Sequence, residues 1–246
     1  MINFQGILSA SISRVRFNVW SLGYMQWCLW LIGLGLGASV GRANIIYVNG
    51  SASANPPPDG LSWATAFTDV KSALSLAAAG DEVWVAAGNY TNSQTLNITS
   101  GVALYGGFLG TETNLNQRNG SANTTMLTAS QYNVVTIMGG TNETRIDGVT
   151  ITGSSGSGIY GRTPSLVIAN NRIVGNQKSG IDCSGALIMI TNNVIAGNGP
   201  RLPIDFPVTV GGGIVISGYP ASILNNVIVG NSAEVGGAFI VCTALF

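Results

Sequence analysis

The stretch Asn170-Asn171-Arg172-Ile173-Val174-Gly175-Asn176 returns as Asn192-Asn193-Val194-Ile195-Ala196-Gly197-Asn198 and again as Asn225-Asn226-Val227-Ile228-Val229-Gly230-Asn231. Each copy is followed by a second mark, Gly180-Ile181, Gly213-Ile214 and the variant Gly237-Ala238. An earlier Gly158-Ile159 belongs to a more divergent unit around Ile151 and Gly153. From the isoleucine of a mark to the next asparagine pair the distance is 11 residues, as from Ile159 to Asn170, Ile181 to Asn192 and Ile214 to Asn225. Spacing that stays constant while the sequence drifts identifies a solenoid, a stack of units none of which buries its apolar face alone.

Ile173 follows Ile151 by 22 residues, and Ile195 follows Ile173 by 22. Three short strands and three turns fill such a unit, which is the period of a right-handed parallel β-helix, an all-β fold with three long parallel sheets. Ile151, Ile173, Ile195 and Ile228 then form one inward stack, and Ile159, Ile181 and Ile214 another. Asn170, Asn192 and Asn225, with Asn176, Asn198 and Asn231, read as structural ladders rather than as ligands for sugar or metal. Asparagine tolerates left-handed turns, bonds neighbouring backbone and can bond from coil to coil. One insertion breaks the rhythm: Asn170 to Gly180 is 10 residues, but Asn192 to Gly213 is 21, so 11 extra residues leave as a proline-rich loop between Gly199 and Val210. Solenoid insertions of this kind often lie on the binding face.

Upstream, residues 44–90 read as an N-terminal cap and residues 146–246 as the regular coils. Thr68 is the expected N-cap of a short helix with Val70, Ala73, Leu74 and Ala77 on its apolar face and Gly80 as its stop. Placed before the strand Val83-Trp84-Val85-Ala86, it would cover the first coil. Short β-branched segments follow at Leu96 to Ile98, Val102 to Tyr105, Val134 to Ile137 and Arg145 to Ile151. Residues 1–43 carry Arg14 and Arg16, then an uncharged run from Phe17 to Gly41 that closes on Gly41-Arg42-Ala43. This pattern predicts a secretory signal cleaved after Ala43, with a membrane anchor as the alternative.

Charged residues make up only 8% of the chain and there is no histidine, so acid–base chemistry and metal ligation have few candidates. Neither a metal nor another cofactor is expected. Without Arg14, Arg16 and Arg42 the remaining chain has 7 basic and 10 acidic groups and no basic stripe for nucleic acid. Cys183 and Cys242 fall two coils apart. At about 4.8 Å per coil their backbones are too distant for a disulfide, which leaves buried, inert thiols.

Tyr47-Val48, Gly60-Leu61-Ser62-Trp63-Ala64-Thr65-Ala66-Phe67, Gly80-Asp81-Glu82-Val83-Trp84-Val85-Ala86-Ala87-Gly88-Asn89-Tyr90 and Leu104-Tyr105-Gly106-Gly107-Phe108 occur in order. Together they resemble the N-terminal part of bacterial secreted right-handed β-helix proteins of the pectin-lyase-like superfamily. Ile228-Val229-Gly230-Asn231-Ser232-Ala233 and Gly236-Gly237-Ala238-Phe239 resemble the repeat of polymorphic outer membrane proteins, with Ile228 in place of its Phe and Phe239 in place of its Ile. The resemblance implies a secreted protein or one on the outer surface of a bacterial cell. The chain stops at Phe246 without a polar cap, from which we expect a longer polypeptide or end-to-end self-association.

The same superfamily includes polysaccharide lyases and glycoside hydrolases, chemistries that need two facing carboxylates, or a base with cations. Tyr160, Asp182, Val215 and Phe239 follow the Gly-Ile marks, and Asp182 alone is acidic. Asp182 with Asp205 and Arg201 of the insertion are therefore the catalytic candidates, against a reading of Asp182 as a solvated turn residue. Tyr160, Phe206 and Tyr219 are the ligand-binding candidates, because aromatic rings offer apolar faces with polar edges. The favoured expectation is a structural, adhesive or carbohydrate-binding surface whose partner is a polysaccharide or a surface protein. Enzymatic lysis or hydrolysis is the alternative. Membrane contact is expected only through an uncleaved N-terminal segment.

Overall fold

The computed structural model describes residues 43–53, 55–200, 211–218 and 221–242. The expected signal or anchor before Ala43, most of the proline-rich insertion, Tyr219 and the chain end at Phe246 lie outside the described residues.

Strand β1 (Ile45–Val48) precedes the first full coil, which consists of β2 (Glu82–Ala86), β3 (Gly88–Asn92) and β4 (Leu96–Ile98). The second coil has β5 (Ala103–Phe108), β6 (Thr125–Ala129) and β7 (Val135–Met138), and the third has β8 (Thr144–Asp147), β9 (Thr150–Thr152) and β10 (Ile159–Arg162). Then come β11 (Ser165–Ala169), β12 (Arg172–Val174) and β13 (Ile181–Ser184), followed by β14 (Leu187–Thr191), β15 (Val194–Ala196) and β16 (Ile214–Ser217). The last described coil is β17 (Ala221–Leu224), β18 (Val227–Val229) and β19 (Phe239–Cys242). Every pairing is parallel and each strand neighbours its equivalent one coil away. The first sheet is β1-β2-β5-β8-β11-β14-β17, the second β3-β6-β9-β12-β15-β18 and the third β4-β7-β10-β13-β16-β19. This is a right-handed parallel β-helix.

Each sheet contributes in-register apolar side chains to the core. Ile151, Ile173, Ile195 and Ile228 are register partners on the second sheet, extended upstream by Leu127 and Tyr90. On the third sheet Leu96, Val135, Ile159, Ile181 and Ile214 form the equivalent row. The first sheet supplies Val83, Leu104, Ile146, Ile168 and Ile190. Apart from Ile228, which is half-buried in the last described coil, these side chains are essentially solvent-free, and full burial of each aliphatic one contributes about 1.5–3 kcal/mol. On the third sheet the backbone register continues to Phe239, which pairs with Ile214. Ala238-Phe239, rather than Gly237-Ala238, is therefore the variant mark, and Ile240 occupies the position equivalent to Asp182 and Val215.

The two asparagines of each pair have different jobs. Asn170, Asn192 and Asn225 have φ of 57°, 56° and 55°, and they turn the chain from the first sheet into the second. Gly148, with φ 75°, occupies that corner one coil earlier, which is why the expected single segment from Arg145 to Ile151 is two strands. The coil-to-coil ladder is carried instead by the second asparagine. Nδ2 of Asn171 donates to Asn193 Oδ1 at 3.1 Å and that of Asn193 to Asn226 Oδ1 at 2.9 Å, with the backbone N–H groups of both donors bonded to the same acceptors. Asn176, Asn198 and Asn231 form a parallel ladder across the next corner.

Helix α1 (Val70–Leu76) buries Val70, Ala73 and Leu74 against β1, β2 and β4, closing the apolar end of the first coil. Its N-cap is Asp69 rather than Thr68: the Asp69 carboxylate accepts from Ser72 N and Ser72 Oγ. The helix ends at Leu76, before Gly80. No helix among the described residues is long and apolar enough to cross a membrane.

Candidate ligand-binding face

Outward-pointing positions distinguish the sheets. On the first sheet, Tyr47, Trp84 and Tyr105 are register partners. Trp84 stacks on Phe108 with ring centroids 4.6 Å apart, and Trp63 lies 4.7 Å from Tyr47. The loop of residues 109–124 is tied to this cluster, since Trp63 Nε1 donates to Glu112 O at 2.8 Å. The Glu112 carboxylate accepts from the N–H groups of Leu109, Gly110 and Thr111. Burial opposes its ionisation, and these donors outweigh burial and hold its pKa below the usual range.

Asp147 anchors the same loop. Its side chain has no solvent exposure; Oδ1 accepts from Arg118 Nη2 at 2.6 Å and Asn170 Nδ2 at 3.0 Å, and Oδ2 accepts from Arg145 Nη2 at 2.6 Å and Nε at 3.0 Å. Burial raises its pKa, but the bonds from Asn170, Arg118 and Arg145 with the Arg118 charge bring it below the ordinary carboxylate value. With four donors on two oxygens, Asp147 is a saturated structural anion with no lone pair poised to take a proton from a ligand.

The third sheet presents an open polar face. Asn97, Thr136, Tyr160, Asp182 and Val215 form one row across five coils. Met138, Arg162, Ser184 and Ser217 form the adjacent row. At the N-terminal end of this face lies an open depression of about 430 Å³ lined by Asn97, Thr99, Thr136, Met138 and Gly140. A second, of about 220 Å³, shares Asn97 and Thr99 and reaches Lys71 and Ser75 of α1. Arg162 Nη2 bonds Asp182 Oδ1 at 2.8 Å, and its Cζ lies 4.1 Å from the Tyr160 ring centroid.

Of the residues singled out by sequence, Tyr160 and Asp182 meet on this face. Asp205, Arg201 and Phe206 of the insertion, and Tyr219, lie outside the described residues. Asp182 is within a strand and ion-paired, not a solvated turn residue. The guanidinium of Arg162 covers one face of the Tyr160 ring, so the surface on offer is the Arg162–Asp182 pair more than a bare aromatic plate. Asn97 and Thr136 escaped sequence reasoning because the loop of residues 109–124 disrupts the 22-residue count between them. Among the described residues no three of His, Cys, Asp and Glu come together to hold a metal. Cys183 is buried and unbridged; desolvation first, then the Asp182 charge, push its thiol up to about 12.

No curated protein and no solved structure matches the chain. A family model described as "Protein of unknown function (DUF1565)" matches residues 59–245, well over half of the sequence. With that match and three all-parallel sheets, the chain belongs to the DUF1565 family and folds as a right-handed parallel β-helix.

Proposed function

We propose that this β-helix is a secreted or cell-surface binding module whose third sheet offers its outer face to a hydroxyl-rich polysaccharide. The observation that carries this reading is the in-register row Asn97, Thr136, Tyr160 and Asp182, open to solvent and spaced by the coil repeat of about 4.8 Å. Amide, hydroxyl and ion-paired side chains fixed on strands recognise hydroxyl groups at low entropic cost, because the scaffold has already ordered them. The outer face of the first sheet is less suited over its first coils, where the chain's own loop and Trp63 cover it. The sequence features of residues 1–43, and the resemblance to pectin-lyase-like and polymorphic outer membrane repeats, support placement outside the cell.

The test is to pass the chain from Asn44 over acidic and neutral polysaccharides while following new reducing ends and the absorbance of unsaturated products. Retention without products is the expected result. Product formation would replace this reading with a lyase or hydrolase centred on Asp182 and the insertion carrying Asp205 and Arg201.

A further inference from the structure

Arg162 and Asp182 come from successive coils, and Asp182 pairs in register with Tyr160. The guanidinium is held from several sides. Nη2 donates to Asp182 Oδ1 at 2.8 Å, and Nη1 donates to Gly161 O at 3.0 Å and Asp182 O at 3.1 Å. The Tyr160 ring lies against its plane. Yet the Arg162 and Asp182 side chains keep 29% and 25% of their surface in solvent. Guanidinium has five N–H donors and a carboxylate about four acceptor positions, so these bonds leave capacity on both partners. Among the described residues Asp182 Oδ2 accepts no hydrogen bond, whereas both oxygens of Asp147 are fully engaged. The result is an immobilised donor beside an immobilised acceptor, neutral as a unit.

Building on the surface reading above, the geometry points to Arg162 and Asp182 as a subsite for the vicinal diol of a neutral sugar. One hydroxyl donates to Asp182 Oδ2, and the neighbouring hydroxyl oxygen accepts from the Arg162 guanidinium. Two adjacent hydroxyls match this pair because each can serve as donor or acceptor. A uronic acid carboxylate does not: it has no proton for Oδ2 and sets a second negative charge beside Asp182. Tyr160 acts as a positioning residue, holding the guanidinium from beneath.

The experiment measures retardation of the chain from Asn44 in gels containing galactomannan, periodate-oxidised and borohydride-reduced galactomannan, which lacks vicinal diols, or polygalacturonate. Wild type, Asp182→Asn and Arg162→Lys are compared, with circular dichroism confirming that each is folded. Native galactomannan is expected to retard wild type at least about tenfold more strongly than the oxidised polymer, and both variants should lose about tenfold in affinity. Equal retardation of wild type by native and oxidised polymer overturns the diol subsite and leaves the surface reading standing, and this arm needs no variant to fold. Retardation by polygalacturonate alone overturns the neutral class. No retardation by any of the three polymers overturns the surface reading together with the subsite.

Discussion

Asn193 is held in a buried position by bonds in two directions. Its Nδ2 donates to Ile168 O and Asn226 Oδ1, and its Oδ1 accepts from the backbone and side chain of Asn171. Replacing it with alanine strands a buried carbonyl and a buried N–H, so Asn193→Ala should cost about 2–4 kcal/mol, measured by urea unfolding. Its neighbour Asn192 is exposed and needed for its φ of 56°, so Asn192→Gly should stay within about 1 kcal/mol of wild type. Two adjacent, identical residues are thus expected to differ severalfold in cost. Cys183 provides a second check at this scale. With its pKa raised to about 12 in a buried position, it should resist iodoacetamide at pH 8 in the native protein and react fully in urea, read by mass spectrometry on a Cys28→Ser, Cys242→Ser background. Rapid native alkylation would mean that the core around β13 opens.

At the scale of elements, the loop of residues 109–124 is strapped to the third coil through Arg118 and Asp147. Asp147→Asn leaves Arg118 and Arg145 facing a neutral amide and should destabilise the fold by about 3 kcal/mol. Because the folded-state pKa of Asp147 is depressed, its contribution is fully present above the unfolded carboxylate value of about 3.9 and is lost as pH falls through the lower folded value. Glu112 contributes in the same direction. Urea midpoints should therefore hold steady from pH 7 to 5 and fall below about pH 4, with the gap between wild type and Asp147→Asn closing as acid is added. A gap that persists at pH 2 would show that the carboxylate charge is not what fastens the loop. The repeat made the regular coils legible, since Ile173, Ile195 and the Asn-Asn corners recur at fixed intervals. Strands β3 and β6 were not, because Gly88–Asn92 and Thr125–Ala129 flank irregular corners and contain polar outward residues. Nor did sequence reveal which asparagine of a pair turns and which one bonds, a distinction made only by the left-handed corner. The repeat places Arg162 one coil before Asp182, but their ion pair was not legible, because it depends on how the two side chains turn toward one another across the coils.

Across the molecule, the strands fix a division between inside and outside: aliphatic rows fill the bore, asparagine ladders lock the corners, and three outer faces remain for other uses. The first is partly covered by the chain's own loop, whereas the third carries the polar rows and depressions. Exposed apolar side chains such as Leu187, Met189 and Leu224 lie on the first sheet beyond the covered coils, offering a competing surface. Two methionines report on the two faces without any substitution. Met138 on the third sheet is 60% exposed and Met189 on the first is 44% exposed, so both are open to peroxide. The most direct test of the proposed binding face is sulfoxide formation at each methionine, followed by mass spectrometry with and without saturating galactomannan. Binding along the third sheet predicts slowed oxidation of Met138 and an unchanged rate at Met189. Protection of Met189 with Met138 still oxidised at its free rate would contradict it and move the ligand to the apolar face of the first sheet.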